Sequence, residues 1–198
     1  FPAGGCVYNF DSTNIYGGTN TINSLYTLKQ FYEGKLGSLS KEDLLRALIA
    51  NFEGYEAIHA KFLQVTKFGN YDPQLNALAK DLMTHTFREV MDLRCWRGNE
   101  GYTGRFMPAI ILWVDWVSSG RHVGATPDGR ILGEATADSC GPMQGTDTEG
   151  PTSVMGAALS LDQGNCAGTC VLNLRLDQAN FRTPAATRKV RQLVEVYF

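Results

Sequence analysis

No apolar run in this chain is long enough to span a bilayer, so a helical membrane anchor is not expected. Charge of one sign is not in excess either: 18 Lys and Arg stand against 20 Asp and Glu, net −2. That balance removes the basic footprint of a nucleic-acid binder and the acidic block of a solvating tail. Cysteine is sparse and odd in number, five in all, without framework spacing. A chain this long does not need staples, so free thiols in a reducing compartment are expected. Gly-x-x-x-x-Gly-Lys-Ser/Thr and Gly-x-Gly-x-x-Gly are missing, which leaves nucleotide binding without a cradle. Internal repeats, low-complexity tracts and flexible linkers are lacking as well, so residues 1–198 are expected to belong to a single domain.

What is present reads first as helices. Residues 1–20 are loop-like, with glycines, Asn and Asp. Thr21 to Glu33 places Ile22, Leu25, Leu28 and Tyr32 on one helical face. Ser40 is an N-cap candidate ahead of Glu42 and Asp43, and Leu44, Leu45, Leu48, Ile49 and Phe52 suit one buried side. The pattern continues or restarts through Ile58, Phe62 and Val65. Lys67-Phe68-Gly69-Asn70-Tyr71-Asp72-Pro73 breaks it and opens a helix from Gln74 to Leu93. Met107 to Val117 predicts a buried helix, Ser118 to Pro151 a long ordered loop, and Val154–Leu161 and Thr169–Leu176 two strands. Ala185 to Phe198 has helical spacing with no stop signal and starts from a chain without an initial Met, so an internal piece of a longer protein is expected.

Several residue groups carry little chemistry. Cys166 and Cys170 are spaced like half of a metal site, but no second Cys or His pair lies near, so free thiols and no metal are expected. His59, His85 and His122 are scattered and read as helix-surface or interface groups; Asp81 and Glu89 are spaced as a solvated face. No Ser, His and Asp grouping stands out.

One long ordered string is far more specific. Val123-Gly124-Ala125-Thr126-Pro127-Asp128-Gly129-Arg130 continues through Gly133-Glu134 and ADSCGPMQGTDTEGPTSVM to Met155, and Gly5-Cys6-Val7 stands well upstream. Pro127 before Asp128-Gly129 is turn chemistry, and Asp128 and Arg130 are expected to hold the loop rather than touch substrate. Gly141-Pro142, Gly145 and Gly150-Pro151 read as scaffold. With the Phe68-Gly69-Asn70 turn, these strings resemble the glycyl radical enzymes, the family of pyruvate formate-lyase. The resemblance implies an α/β fold, here a helix-rich part of a ten-stranded α/β barrel with the cysteine loop at its start. The Arg-Val-x-Gly-Tyr type glycine motif of the family is missing from the chain, so the glycyl radical is expected on a glycine elsewhere, with no bound cofactor. It also implies a radical-SAM activating enzyme, a homodimer with small accessory subunits, and a cytoplasmic, anaerobic setting.

The resemblance makes Cys6 the hydrogen-atom carrier. A thiol suits that task because its S–H bond breaks and re-forms within a turnover; no thiolate is needed. Val7, Tyr8 and Phe10 would suit an apolar substrate, and equally would pack the loop. In family dehydratases and lyases a Glu stands two positions after the cysteine and performs proton transfer; here that position is Tyr8, which cannot play that role near neutral pH. In the diol dehydratases an Asp fourteen positions after it holds substrate hydroxyls; here that position is Asn20, which lacks the carboxylate and remains a candidate substrate contact. Pyruvate formate-lyase resembles a Cys-Cys pair, against Gly5-Cys6 here. These departures turn the reading toward the alkylsuccinate and benzylsuccinate synthases, which add a hydrocarbon radical to fumarate without a general base. No Lys or Arg lies between Cys6 and Lys29, so fumarate anchors would be backbone N–H groups, Arg105, Arg121 or Arg130, or residues elsewhere. The alternatives are a glycyl radical lyase or formate acetyltransferase-like enzyme of other substrate, or a scaffold without catalysis.

Overall fold

A computed structural model describes residues 9–95 and 104–198. Three parallel strands, β1 (Asp11–Asn14), β2 (Phe106–Ile110) and β3 (Thr169–Cys170), form one sheet in that order. Asp11 pairs with Phe106, and Ala109 with Thr169. The other elements are α1 (Gly18–Tyr32), α2 (Lys41–Ile49), α3 (Glu56–Gln64), α4 (Pro73–Asp92), α5 (Asp115–Ser119), α6 (Pro151–Ser160) and α7 (Pro184–Tyr197). Parallel strands need long crossovers; α1 to α4 lie in the first and α6 in the second.

Local chemistry sets the helix starts. Ser40 Oγ accepts the Asp43 N–H at 3.0 Å, and Asp72 Oδ1 accepts from Gln74 and Leu75 at 2.9 and 3.1 Å, with Pro73 at the first helical position. Each such cap contributes about 1 kcal/mol. The helix expected after Ser40 ends at Ile49 and a new one, α3, begins at Glu56. Of its expected apolar face, Leu44 is buried, whereas Leu45 and Ile49 are exposed. Two cores result. Ile22, Phe68, Leu75, Met83, Phe87 and Ile110 anchor one beneath the sheet, and Phe31, Leu44, Phe52 and Phe62 the other between α1, α2 and α3.

Several expectations are corrected. Within the expected 1–20 loop, residues 11–14 form β1 and α1 starts at Gly18. Met107 to Val117 is not a helix: its first half is β2, followed by a turn and the short α5. Buried on both faces, a central parallel strand reads as an unbroken apolar run with no period to mark it. Pro108 sits within β2, with its carbonyl accepting from Gly168. Val154–Leu161 is helix α6 rather than a strand: Pro151 opens it, and Val154, Met155, Ala157 and Ala158 are buried along one helical side. The strand expected over Thr169–Leu176 is shortened to two residues. Of the loop expected over Ser118 to Pro151, residues 120–150 hold no helix or strand, while Ser118 and Ser119 close α5 and Pro151 opens α6; α7 forms where the C-terminal helix was expected.

Candidate functional site

The 120–136 loop folds back on itself around Arg130. Thr126 N–H bonds the Arg130 carbonyl and Gly129 N–H the Thr126 carbonyl, both at 2.9 Å, closing the turn that Pro127-Asp128-Gly129 prescribes. Gly129 has φ +95°, and a side chain there would strike Leu63 of α3. Arg130, only 1% exposed, sends Nη1 to the carbonyls of Gly120, Ile131 and Glu134 at 3.4, 2.9 and 3.0 Å. Its Nη2 donates to Val123 at 2.9 Å and to Gly124. One guanidinium thus pins five carbonyls, and its planar fork explains why Arg stands there. Burial lowers the Arg130 pKa, while Asp128 and Glu134 pull it back up. Asp128 and Arg130 hold the loop, as the turn chemistry predicts; Arg130 is not free to anchor a substrate carboxylate by its terminal nitrogens.

Asp128 ties this loop to α1. Asn20 Nδ2 donates to Asp128 Oδ2 at 2.8 Å, and Asn20 Oδ1 accepts the Ala137 N–H at 2.8 Å. Thr126 Oγ1 and the Arg130 N–H occupy Asp128 Oδ1. Asn20 also lies against Met143 Sδ at 3.0 Å and is 5% exposed. Both ends of its amide are spent on the protein, so here Asn20 serves as a brace between α1 and the loop.

Cys6, Val7 and Tyr8 lie outside the described residues. Phe10, half exposed, immediately precedes β1. Gly104 N–H bonds the Asn9 carbonyl at 2.8 Å and Asp11 N–H the Arg105 carbonyl at 3.3 Å, which fixes residues 9–11 beside the start of β2. Arg105 Nη1 reaches the Met91 carbonyl at 3.4 Å. Arg121 is exposed.

Sequence reasoning missed a set of polar braces. Asn70 Nδ2 donates to the Lys67 and Thr146 carbonyls at 3.0 and 2.7 Å, and its Oδ1 accepts from Thr148 and Glu149 N–H groups at 2.9 and 3.2 Å. Asn23 accepts the Phe68 N–H at 2.7 Å. A Cβ on Gly69, φ +104°, would lie 2.6 Å from Pro142 Cβ. The Phe68-Gly69-Asn70 turn and the Gly141-to-Gly150 stretch are therefore one packed unit. Lys67, 5% exposed, donates to Phe62 and Val65 carbonyls at 2.6 and 2.7 Å; burial pulls its pKa down to about 8 against the pull of Asp128. His59 is half-buried rather than on the helix surface: it stacks on Phe52 at 4.4 Å and meets the Gly129 carbonyl through Nε2 at 2.7 Å, so that nitrogen carries the proton. His85 does lie on the surface, 3.8 Å from Glu89. The signal available beforehand was a polar residue within an apolar face, as at Asn23.

Among the described residues, Cys95, Cys140, Cys166 and Cys170 are free thiols, and no group of three or more His, Cys, Asp or Glu could hold a metal ion. No helix among them is long and apolar enough to cross a membrane. A cavity of about 320 Å³ lies between the start of α1 and the 119–136 loop, walled by Tyr16, Asn20, Ser24, Val123, Thr126 and Arg130. Wider, more open clefts lie on the helical surface, away from the signature loop.

Comparison with known proteins matches residues 1–109 to the pyruvate formate lyase-like family. The chain is 29% identical over 200 residues to trans-4-hydroxy-L-proline dehydratase of Clostridioides difficile, covering all of this chain and 24% of that protein. It is 31% identical over 150 residues to isethionate sulfite-lyase of Bilophila wadsworthia, covering 74% of this chain and 17% of that one. The glycerol-bound B12-independent glycerol dehydratase from Clostridium butyricum superposes with a TM-score of 0.88 at 28% identity, over 99% of this chain and 24% of that structure. A glycyl radical enzyme from Archaeoglobus fulgidus gives 0.89 at 27%, over 98% and 24%. The chain thus spans about a quarter of the length of the first of these relatives and of both structures. The α/β arrangement, the family match and these superpositions agree: the chain belongs to the pyruvate formate lyase-like family of glycyl radical enzymes.

Proposed function

We propose that the protein carrying this chain uses Cys6 as a thiyl radical to take a hydrogen atom from a hydrocarbon, and adds the resulting carbon radical to fumarate. The C–H bond breaks as the S–H bond forms. The carbon radical adds to the double bond, and the product radical recovers hydrogen from Cys6. No step needs a general base.

The observation that carries this reading is the spent amide of Asn20. At the position where diol dehydratases hold substrate hydroxyls with a carboxylate, this chain has an amide bonded at both ends to its own loop. Tyr8 likewise replaces the carboxylate that moves protons in elimination. Fumarate needs cationic or N–H anchors. Arg130 is committed to loop carbonyls, so Arg105, Arg121, backbone N–H groups and residues beyond this chain would supply them. Val7, Tyr8 and Phe10 would face the hydrocarbon.

A second reading is a glycyl radical lyase acting on another substrate. It is favoured by the named activities of the relatives, a dehydratase and a sulfite-lyase. Both readings call for a separate radical-SAM activating enzyme, and a homodimer with small accessory subunits in an anaerobic cytoplasm.

The test uses the whole protein, activated anaerobically and given fumarate with deuterated toluene or n-alkane, followed by mass spectrometry. A substituted succinate that keeps the substrate deuterium, absent from Cys6→Ser, supports fumarate addition. A glycyl radical signal without adduct overturns it for those substrates and favours the lyase.

A further inference from the structure

Three thiols share one corner of the core. Cys140 and Cys166 are buried and Cys170 is partly buried, all packed in the cluster that holds Ile22, Phe68 and Ile110. Cys140 sends both its N–H and its Sγ to the Val171 carbonyl, at 3.1 and 2.9 Å. Cys166 Sγ rests on the Thr169 carbonyl at 3.1 Å and the Pro108 carbonyl at 3.5 Å. The two cysteines therefore grip the residues on either side of Cys170, and the Cys170 thiol hydrogen-bonds with both of theirs. The proposed reaction uses none of the three.

Cys170 is the thiol that a small molecule meets first. It is the least buried of the three and lines a cleft of about 370 Å³ beside α7, among Met155, Leu172, Leu174 and Val194. Of its two neighbours, Cys140 is the freer to turn toward it. The Cys140 sulfur gives up one carbonyl contact in doing so, whereas that of Cys166 gives up two. Thiols already in hydrogen-bond contact need only a short closure to reach disulfide geometry.

We propose that Cys170 and Cys140 are a redox-sensitive pair, converted to a disulfide by exchange with a small uncharged disulfide. The Cys170 thiolate attacks one sulfur of the reagent, the S–S bond breaks, and one thiol leaves. Cys140, having lost its proton, then attacks Cys170 Sγ in the mixed disulfide, and the second thiol leaves. Two cysteines are oxidised and one disulfide is reduced to two thiols; a dithiol reverses the exchange. The reaction is slow near neutral pH, because the Cys140 contact and burial push the Cys170 thiol up to about 12. Its rate rises about tenfold per pH unit below that value, as the thiolate fraction does. The bridge fastens the 137–141 loop to β3. Asn20 already holds the Ala137 N–H of that loop and Thr19 Oγ1 its Gly141 carbonyl, so oxidation makes one braced unit of α1, the loop and β3.

The experiment treats the reduced whole protein, without its radical, with bis(2-hydroxyethyl) disulfide under anaerobic conditions. Samples are quenched with acid, alkylated after unfolding, digested and mapped by mass spectrometry. A Cys140 peptide joined to a Cys170 peptide is expected, with Cys166 alkylated and the bridge lost on dithiothreitol treatment. Formation should quicken about tenfold between pH 7.5 and 8.5. Cys140→Ser should stop at one hydroxyethylthio group on Cys170, and Cys170→Ser should leave Cys140 reduced. The wild-type map decides the matter even where a serine variant fails to fold. No bridge in the folded protein, a bridge that forms only in urea, a Cys166–Cys170 bridge, or equal modification of Cys140 in a folded Cys170→Ser variant each overturns the proposal.

Discussion

The Asn20 amide donates to the Asp128 carboxylate at 2.8 Å across 108 residues of sequence, joining α1 to the signature turn. Two segments that the family resemblance marks separately thereby become one mechanical unit.

Replacing that amide by a carboxylate tests the brace directly. Asn20→Asp sets two buried carboxylates against each other, so the carboxyl pKa of the pair rises in the folded state. A raised folded pKa gives stability that is present at low pH and lost as the pH rises. At about pH 8 Asn20→Asp is expected to be less stable than Asn20→Ala, which itself costs about 2 kcal/mol by leaving Asp128 and Ala137 short of a partner. Near pH 5 the order narrows or reverses. Thermal midpoints at the two pH values decide it; an aspartate that is harmless at pH 8 removes the brace.

Gly120 and Gly124 make a matched pair. A Cβ on Gly120 would stand 1.9 Å from the Glu134 carbonyl oxygen, a backbone atom held by Arg130, whereas Gly124 has open space. Gly120→Ala is expected to destabilise by about 3 kcal/mol or more, since the loop must open to admit one methyl. Gly124→Ala should stay within about 0.5 kcal/mol. Soluble yield and thermal midpoint separate them, and equal behaviour refutes the close approach.

Thiol labelling tests the second end of the loop. Cys140 and Cys166 are buried, with Cys140 Sγ on the Val171 carbonyl at 2.9 Å and Cys166 Sγ on the Thr169 carbonyl at 3.1 Å. Hydrogen bonding to Cys170 and burial push the Cys166 thiol up, and Cys140 raises Cys170 to about 12. Thiolates are the reacting species, so iodoacetamide should modify Cys95 before these three in the native protein. Rapid labelling of Cys166 without unfolding contradicts this packing.

The parts of the fold legible beforehand are those decided within a few residues. Ser40 and the Asp72-Pro73 pair mark helix starts because a cap bonds its own first turn, and Pro127-Asp128-Gly129 marks a turn for the same reason. β2 was not legible, because a strand buried on both faces carries no alternation. The apolar Val154–Leu161 run reads alike as strand or helix until Pro151 and the one-sided burial of Val154, Met155 and Ala158 decide it. Asn20 could be picked out by its distance from Cys6, but its partners Asp128 and Ala137 lie 108 and 117 residues away. No local pattern encodes such a pairing, and it is what makes the residue a brace between α1 and the signature turn.

Lys67 gives the chain a dependence on alkaline pH. Its ammonium sits under the end of α3, capping the Phe62 and Val65 carbonyls, and burial lowers its pKa from 10.5 to about 8, with Asp128 opposing. In the unfolded chain Lys67 keeps its proton up to the ordinary value. Between about pH 8 and 10.5 the unfolded state therefore binds more protons, and stability rises with pH across that window; it falls back as the pH drops to 8. The whole effect is at most about 3 kcal/mol. Lys67→Met, similar in length and without the charge, should lack this slope while losing the two caps. Urea midpoints measured from about pH 7.5 to 9.5 on both proteins isolate the contribution, because other titrating groups are common to the two. A wild-type slope matched by the variant means that Lys67 stays charged throughout, held by its carbonyls and Asp128 as an ordinary cap.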